Sequence, residues 1–265
     1  MTPEEPPVNS DPAFAAPPEA QVVPALSGVP PLAPERDPFW GYGDLLWFFG
    51  LAIPSMLASW AVQWLAMKLF KWEMVSLTVG MFVLYGLLFA ALGMMFRVVY
   101  DRPFWRSLGW TPIRPPAMVV MMSGMATAVL VALASKLIHT PTGDNQMTQL
   151  LERRADVLVM GALAVTLAPL CEELVFRGFL QPLLVRSLGA VPGVLLAAIP
   201  FGLLHFHEYG NSWRHALILT MAGAAFGWMR QVTGSTKAAA LMHAAYNSLF
   251  FIALMTEKGI LPHLW

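Results

Sequence analysis

The sequence predicts an all-α fold, a polytopic transmembrane bundle of seven or eight spans, and three observations carry that reading. Of 265 residues, 57% are hydrophobic and only 12% charged, against roughly 25% charged in a soluble domain, and the mean hydropathy is +0.59. The apolar residues fall into runs close to the roughly 20 helical residues that cross a hydrocarbon core about 30 Å thick. Trp40, Trp47, Trp72, Trp105, Trp110 and Trp213 lie near the ends of those runs, where amphipathic rings favour the headgroup level. The lipid bilayer is therefore the first expected partner. Sixteen basic residues balance sixteen acidic ones, which leaves no electrostatic case for a nucleic acid. A single cysteine, Cys171, excludes an internal disulfide and a cysteine-based metal cluster. With no base at catalytic spacing, it reads as a small buried apolar residue.

Three regions follow in order. Residues 1–38 form a tail rich in Pro, Ala and acidic residues, with Pro6-Pro7, Pro17-Pro18 and Pro30-Pro31, a composition expected to stay disordered. It has neither the basic start nor the apolar stretch of a secretory signal, so the first hydrophobic span is expected to target the chain. Residues 39–150 hold the N-terminal transmembrane helices and residues 151–265 a transmembrane core that carries the polar motifs. The runs are Leu45–Met67, Val75–Phe96, Ala117–Leu137, Val157–Leu180, Val191–His205, His215–Met229 and Ala238–Met255. A polar-interrupted extension from Arg177 to Leu188 would be an eighth, interfacial helix. Gly223-x-x-x-Gly227 in the sixth run allows close helix contact, although so Gly- and Ala-rich a segment matches that pattern readily by chance. Between the second and third runs Arg97, Arg102, Arg106 and Arg114 face one acid, Asp101. The positive-inside rule puts that loop, and with seven spans the N-terminal tail, in the cytoplasm. Lys68, Lys71, Lys136, Arg153, Arg154 and Arg214 fall on the other face and oppose that orientation.

The stretch Cys171-Glu172-Glu173-Leu174-Val175-Phe176-Arg177 places two carboxylates and a guanidinium inside an apolar run. Each such charge costs about 2.5–3.5 kcal/mol at a helix centre, so the three need mutual pairing, a wet cavity or a function. Helical spacing lets Glu173 and Arg177 pair at i, i+4, while Glu172 points about 100° away. The bland alternative is a stop-transfer flank with all three groups reaching the headgroups. The fifth run ends in Phe201-Gly202-Leu203-Leu204-His205; an intramembrane histidine can act as base, hydrogen-bond donor or metal ligand, or simply pack. His207-Glu208 does not complete a His-Glu-x-x-His zinc motif, because Asn211 stands at the second histidine position. In the last run His243 and Asn247 share one helical face with alanines between them, as a site or as an interhelical tie commonly worth about 0.6–2 kcal/mol.

Glu-Glu-x-x-x-Arg, Phe-x-x-x-His and His-x-x-x-Asn, on three separate apolar runs and in this order, together closely resemble the CPBP family of CAAX proteases and bacteriocin-processing enzymes, which includes the Ras-converting endopeptidases. The resemblance covers roughly Val157 to Met255; the earlier spans carry no matching motif. It implies an intramembrane endopeptidase acting on a protein or peptide, in a bacterial cytoplasmic membrane. Glu172 would be the general base that activates water, His205 would assist it, and His243 and Asn247 would stabilise the oxyanion. Glu173 and Arg177 would hold the site together, with Phe201 packed beside it. The family is also described as metalloproteases, and Glu172, His205 and His243 make a three-ligand zinc set; a glutamate mechanism needs no metal. The alternative is a non-catalytic membrane protein, an immunity, scaffold or transport-related factor, that keeps the polar groups as a structural network.

Helix rise sets one geometric expectation. If the fourth and fifth runs form a hairpin turning near Gly189, Glu172 and His205 both lie about 25 Å from the turn. His243, about eight residues past the turn at Gly234-Ser235, would sit roughly 12 Å nearer that face unless helix ends overhang unequally. A bend near Pro182 is one way to reconcile them.

Overall fold

The computed structural model of the chain describes residues 37–141 and 149–260; the tail expected to be disordered lies almost wholly outside the described residues. Helices account for all the regular structure among the described residues. They are α1 (Tyr42–Phe70), α2 (Glu73–Val99), α3 (Phe104–Ser107), α4 (Ala117–Leu137), α5 (Arg154–Leu188), α6 (Ala190–Leu204), α7 (Trp213–Thr233) and α8 (Thr236–Glu257). Each of the seven apolar runs falls in a helix. Five helices, α1, α2, α4, α5 and α8, are long and apolar enough to cross a membrane. α6 is apolar but has 15 residues, about 22 Å and short of the hydrocarbon thickness. α7 has 21 residues but carries Arg214, His215, Arg230 and Gln231 near its ends. The extension from Arg177 to Leu188, expected as a separate interfacial helix, continues α5.

Local chemistry explains where these helices start, stop and bend. The Gly41 amide donates to Asp44 Oδ2 at 2.8 Å in the first turn of α1, and the Tyr100 hydroxyl donates to the same oxygen at 2.7 Å. This ties the start of α1 to the end of α2. α1 stops at Lys71, whose φ of 51° is left-handed. α7 and α8 are capped by Ser212 and Ser235, whose hydroxyls accept from the amides of His215 and Ala238. α5 is interrupted twice. At Thr166 the backbone leaves the helical region (φ −126°, ψ −80°), just before Pro169, which has no N–H to continue the ladder. From Leu174 to Leu180 the turn widens to a π-helix, and the Gln181 amide donates to Phe176 O. Pro182 follows at once, and a wider turn relieves the clash of its ring with the preceding carbonyls.

α1 pairs with α2, α4 with α8, α6 with α7, and the last part of α5 with α6. The N-terminal helices meet the rest through an aromatic cluster. Trp40 is 2% exposed, stacks on Phe179 at 5.5 Å and donates its indole N–H to Phe179 O at 3.1 Å. Phe48 and Phe96 close around the same ring, at 5.1 and 6.2 Å. Trp40 is thus a core residue rather than a headgroup anchor. Trp47, Trp105 and Trp213 are exposed, as membrane-interface residues would be, while Trp72 donates to Asp156 Oδ1 at 2.6 Å and pins α2 to α5.

Candidate active site

α5, α6, α7 and α8 converge on the two glutamates. Glu173 and Arg177, one helical turn apart, pair at 3.1 Å with both side chains fully buried. Arg177 also donates Nη2–H to Gly223 O at 2.6 Å, and its guanidinium lies 4.5 Å from the centre of the Phe201 ring and 5.6 Å from that of Phe226. A desolvated cation over an aromatic face gains about 2 kcal/mol. One turn further on, Gln181 donates to Gly227 O at 2.9 Å. Two glycines four residues apart on α7 therefore offer their carbonyls to two polar side chains four apart on α5. A Cβ on Gly223 would stand 2.8 Å from Phe201 and 3.0 Å from Arg177 Nη2, and one on Gly227 would stand 2.6 Å from Gln181 Oε1, so the Gly-x-x-x-Gly spacing marks a close helix contact.

His243 stands between the carboxylates. Its Nδ1 is 2.9 Å from Glu173 Oε1, and its Nε2 is 3.9 Å from Glu172 Oε2. Glu173 also accepts from Arg177, so the carboxylate is the acceptor and Nδ1 carries the hydrogen. The imidazole lies flat on Phe226 at 4.4 Å and 18°, which fixes its plane. Glu172 belongs to a different environment: its side chain is 17% exposed, and it stands apart from the Arg177 pair. A gap of 3.9 Å is too long for a hydrogen bond but lets one oxygen approach both atoms to roughly 2.8 Å.

His205 closes α6. Its Nδ1–H donates to Phe201 O at 2.9 Å, which leaves Nε2 outside that bond. Phe201 packs on Arg177, and its ring is 5.1 Å from that of His205, so α5 and α6 match in depth as hairpin arithmetic requires. Asn247 lies one turn beyond His243 and donates one amide N–H to Ala164 O at 2.7 Å, beside the break at Thr166; its second N–H is not spent there.

His243 reaches this depth because the helix ends overhang unequally. Thr236, the first residue of α8, donates its hydroxyl to Leu108 O at 2.6 Å and its amide to Gly109 O at 2.9 Å. Gly178 abuts the same Leu108, where a Cβ would be 2.9 Å from the carbonyl oxygen. α8 thus begins level with Gly178, while α5 runs on to Leu188, roughly 15 Å further. The segment after α3 fills the step, and Pro182 serves the π-turn instead.

The α6–α7 connection adds residues that the motifs do not name. Glu208 is half-buried beside Glu172 and His205: burial pushes its carboxyl up from the usual range, His205 and His207 pull the other way, and Glu172 adds to the rise. Tyr209, whose hydroxyl is pushed up to about 12 by burial and by the charges of Glu208 and Glu172, stacks on His215 at 4.8 Å. The adjacency of His205 and Glu208 at i, i+3 was the available signal. Among the described residues no three His, Cys, Asp or Glu side chains gather to hold a metal ion. The bond from His243 Nδ1 to Glu173 leaves Nε2 as the ring atom that faces Glu172.

Five helices fit to cross a bilayer, packed around buried charges, define an integral membrane protein. Residues 154–249, from the start of α5 into α8, match the family described as type II CAAX prenyl endopeptidase Rce1-like, and the chain carries that domain. That match supports a membrane protease at the family level. No curated protein and no solved structure matches the chain.

Proposed function

We propose that the chain is an intramembrane endopeptidase that hydrolyses peptide bonds of membrane-associated proteins or peptides by a glutamate-activated water. The observation that carries this reading is the split between the carboxylates: Glu173 is fully buried with Oε1 held by both Arg177 and His243, while Glu172 keeps a partly exposed carboxylate 3.9 Å from His243 Nε2. Glu172 takes a proton from water as the oxygen attacks the scissile carbonyl, and returns it to the leaving amine as the C–N bond breaks. His205, with Nε2 unspent, orients the water. His243 and the second N–H of Asn247 stabilise the oxyanion. Because Nδ1–H is held by Glu173, His243 can donate from Nε2 only as the doubly protonated ring, a charge-assisted donor. Glu173, Arg177 and Phe201 hold that geometry. No step is routed through a metal.

A specific observation favours a second reading, a non-catalytic membrane protein: His243–Glu173 and Asn247–Ala164 are also ties between helices. Purified protein in detergent, assayed on a peptide panel with Glu172→Gln and a chelator arm, separates the two. The protease reading expects cleavage that survives chelation and falls by about 10²–10⁴-fold in the variant, with accumulation and melting unchanged. Cleavage abolished by chelation and restored by zinc would sink the glutamate mechanism, and a Glu172→Gln protein with unchanged activity would sink Glu172 as the base. Prenyl-cysteine specificity is not part of the proposal.

A further inference from the structure

α2 lies outside the matched residues 154–249, yet it runs beside α5 in the same direction. Trp72 at its start bonds Asp156, and Phe96 near its end packs on Phe179 at 6.2 Å. Measured from the Trp72–Asp156 contact, Tyr85 lies about 20 Å along α2 and Glu172 about 24 Å along α5, so the two stand at nearly the same depth. Tyr85 is on the inner side of its helix. Leu88 and Leu92 share its face and are 7% and 0% exposed, while Leu87 and Met94 on the far side are 43% and 65% exposed. Its ring stacks on Phe89 at 5.9 Å and 17°, which fixes the ring plane, and the phenol is within electrostatic reach of Glu172 and Glu208.

A phenol in such a place ordinarily finds a hydrogen-bond partner; among the described residues the Tyr85 hydroxyl makes none. It is not sealed in either, since the fully buried side-chain atoms without a partner belong to Glu173, Arg177, Gln181 and His215. Tyr100, further along the same helix, does donate, to Asp44 Oδ2 at 2.7 Å. Glu172 likewise accepts no hydrogen bond among the described residues, its contact with His243 being 3.9 Å. A donor and an acceptor, level with each other on neighbouring helices and both unspent, bound a space suited to a ligand that carries both kinds of group. A peptide backbone is such a ligand. A carbonyl freed when a membrane segment unwinds at its scissile bond needs a donor in so apolar a surrounding.

We propose that Tyr85 is a substrate-binding residue, its hydroxyl donating to a backbone carbonyl of the peptide beside the scissile bond and holding that bond against Glu172. The inference rests on the protease reading and extends the site to a helix outside the family match.

The test uses the full chain in detergent and a labelled peptide that wild type cleaves. Tyr85→Phe keeps the stack on Phe89 and loses only the hydroxyl; Tyr100→Phe loses a bond that the free protein makes. The expected result for Tyr85→Phe is a KM about three- to tenfold higher, with kcat and Tm unchanged. Tyr100→Phe lowers Tm and leaves KM alone. Fluorescence anisotropy of the same peptide on Glu172→Gln protein, with and without Tyr85→Phe, should show Kd weakened by the same factor. A Tyr85→Phe protein with unchanged KM and Kd, one that loses only Tm, or one that loses only kcat would each overturn the proposal. Failure of the protease reading shows separately, as cleavage unaffected by Glu172→Gln, and the KM comparison then still decides Tyr85.

Discussion

Two neighbouring glutamates take opposite roles because a helix turns about 100° per residue. Glu173 faces Arg177 and His243 and is fully buried; Glu172 faces the α6–α7 connection and keeps some exposure. Asn247 tests the proposed oxyanion site. Asn247→Ala loses both its bond to Ala164 and the proposed donor. Loss of an oxyanion donor slows turnover about 10²–10³-fold, whereas loss of an interhelical tie costs about 0.6–2 kcal/mol. The expected outcome is a kcat deficit far larger than any fall in Tm, and a variant impaired only in Tm would return Asn247 to a structural role. Glu208 gives a pH-dependent prediction. A carboxyl pushed up in the folded state binds protons that the unfolded chain has released, so its penalty grows as pH rises above the ordinary carboxylate pKa. Glu208→Gln lacks that penalty. The Tm gap between Glu208→Gln and wild type should therefore widen in favour of the variant from about pH 4.5 upward; a gap constant from pH 4.5 to 8 would show that burial does not act on this carboxyl.

At the scale of the helix, the site depends on irregularities in α5. The break at Thr166 sits beside the carbonyl that Asn247 holds, and the π-turn over Leu174–Leu180 presents Arg177 and Gln181 to the glycine carbonyls of α7. Widened turns of this kind recur at functional sites because they re-aim side chains that a regular helix would place elsewhere. The close approach of α7 is tested by Gly223→Ala. Its Cβ would press on Phe201 and Arg177, and overpacking of this kind typically costs about 1–3 kcal/mol. The expected variant folds with a lowered Tm and loses activity beyond its loss of stability, because Arg177 and Phe201 both move. An Ala variant as stable and active as wild type would show that the contact has slack. Periodicity shows that residues 177 and 181 share a face, as do 223 and 227; it does not show that the two faces meet.

Across the molecule, α5 to α8 supply the candidate site and α1 to α4 brace it. Trp40 and Phe48 fasten the entry to α1 onto Phe179, Trp72 fastens α2 onto Asp156, and the segment after α3 supports both Gly178 and the start of α8. The matched family segment, residues 154–249, is therefore not mechanically self-contained: the level at which α8 starts, and hence the depth of His243, is set by carbonyls of Leu108 and Gly109.

The sequence by itself determined the helical membrane class, because composition and run length are one-dimensional properties, and it marked the charged residues, because charge in an apolar run is costly wherever the run goes. It also determined the Glu173–Arg177 pair, since i, i+4 neighbours meet on any helix. Tertiary structure decided the rest. That Trp40 is core and that Glu208 lies beside Glu172 both depend on which helix ends meet. The overhang of α5 past α8 has the same cause: helix rise gives distances along an axis, and only packing fixes where each axis begins.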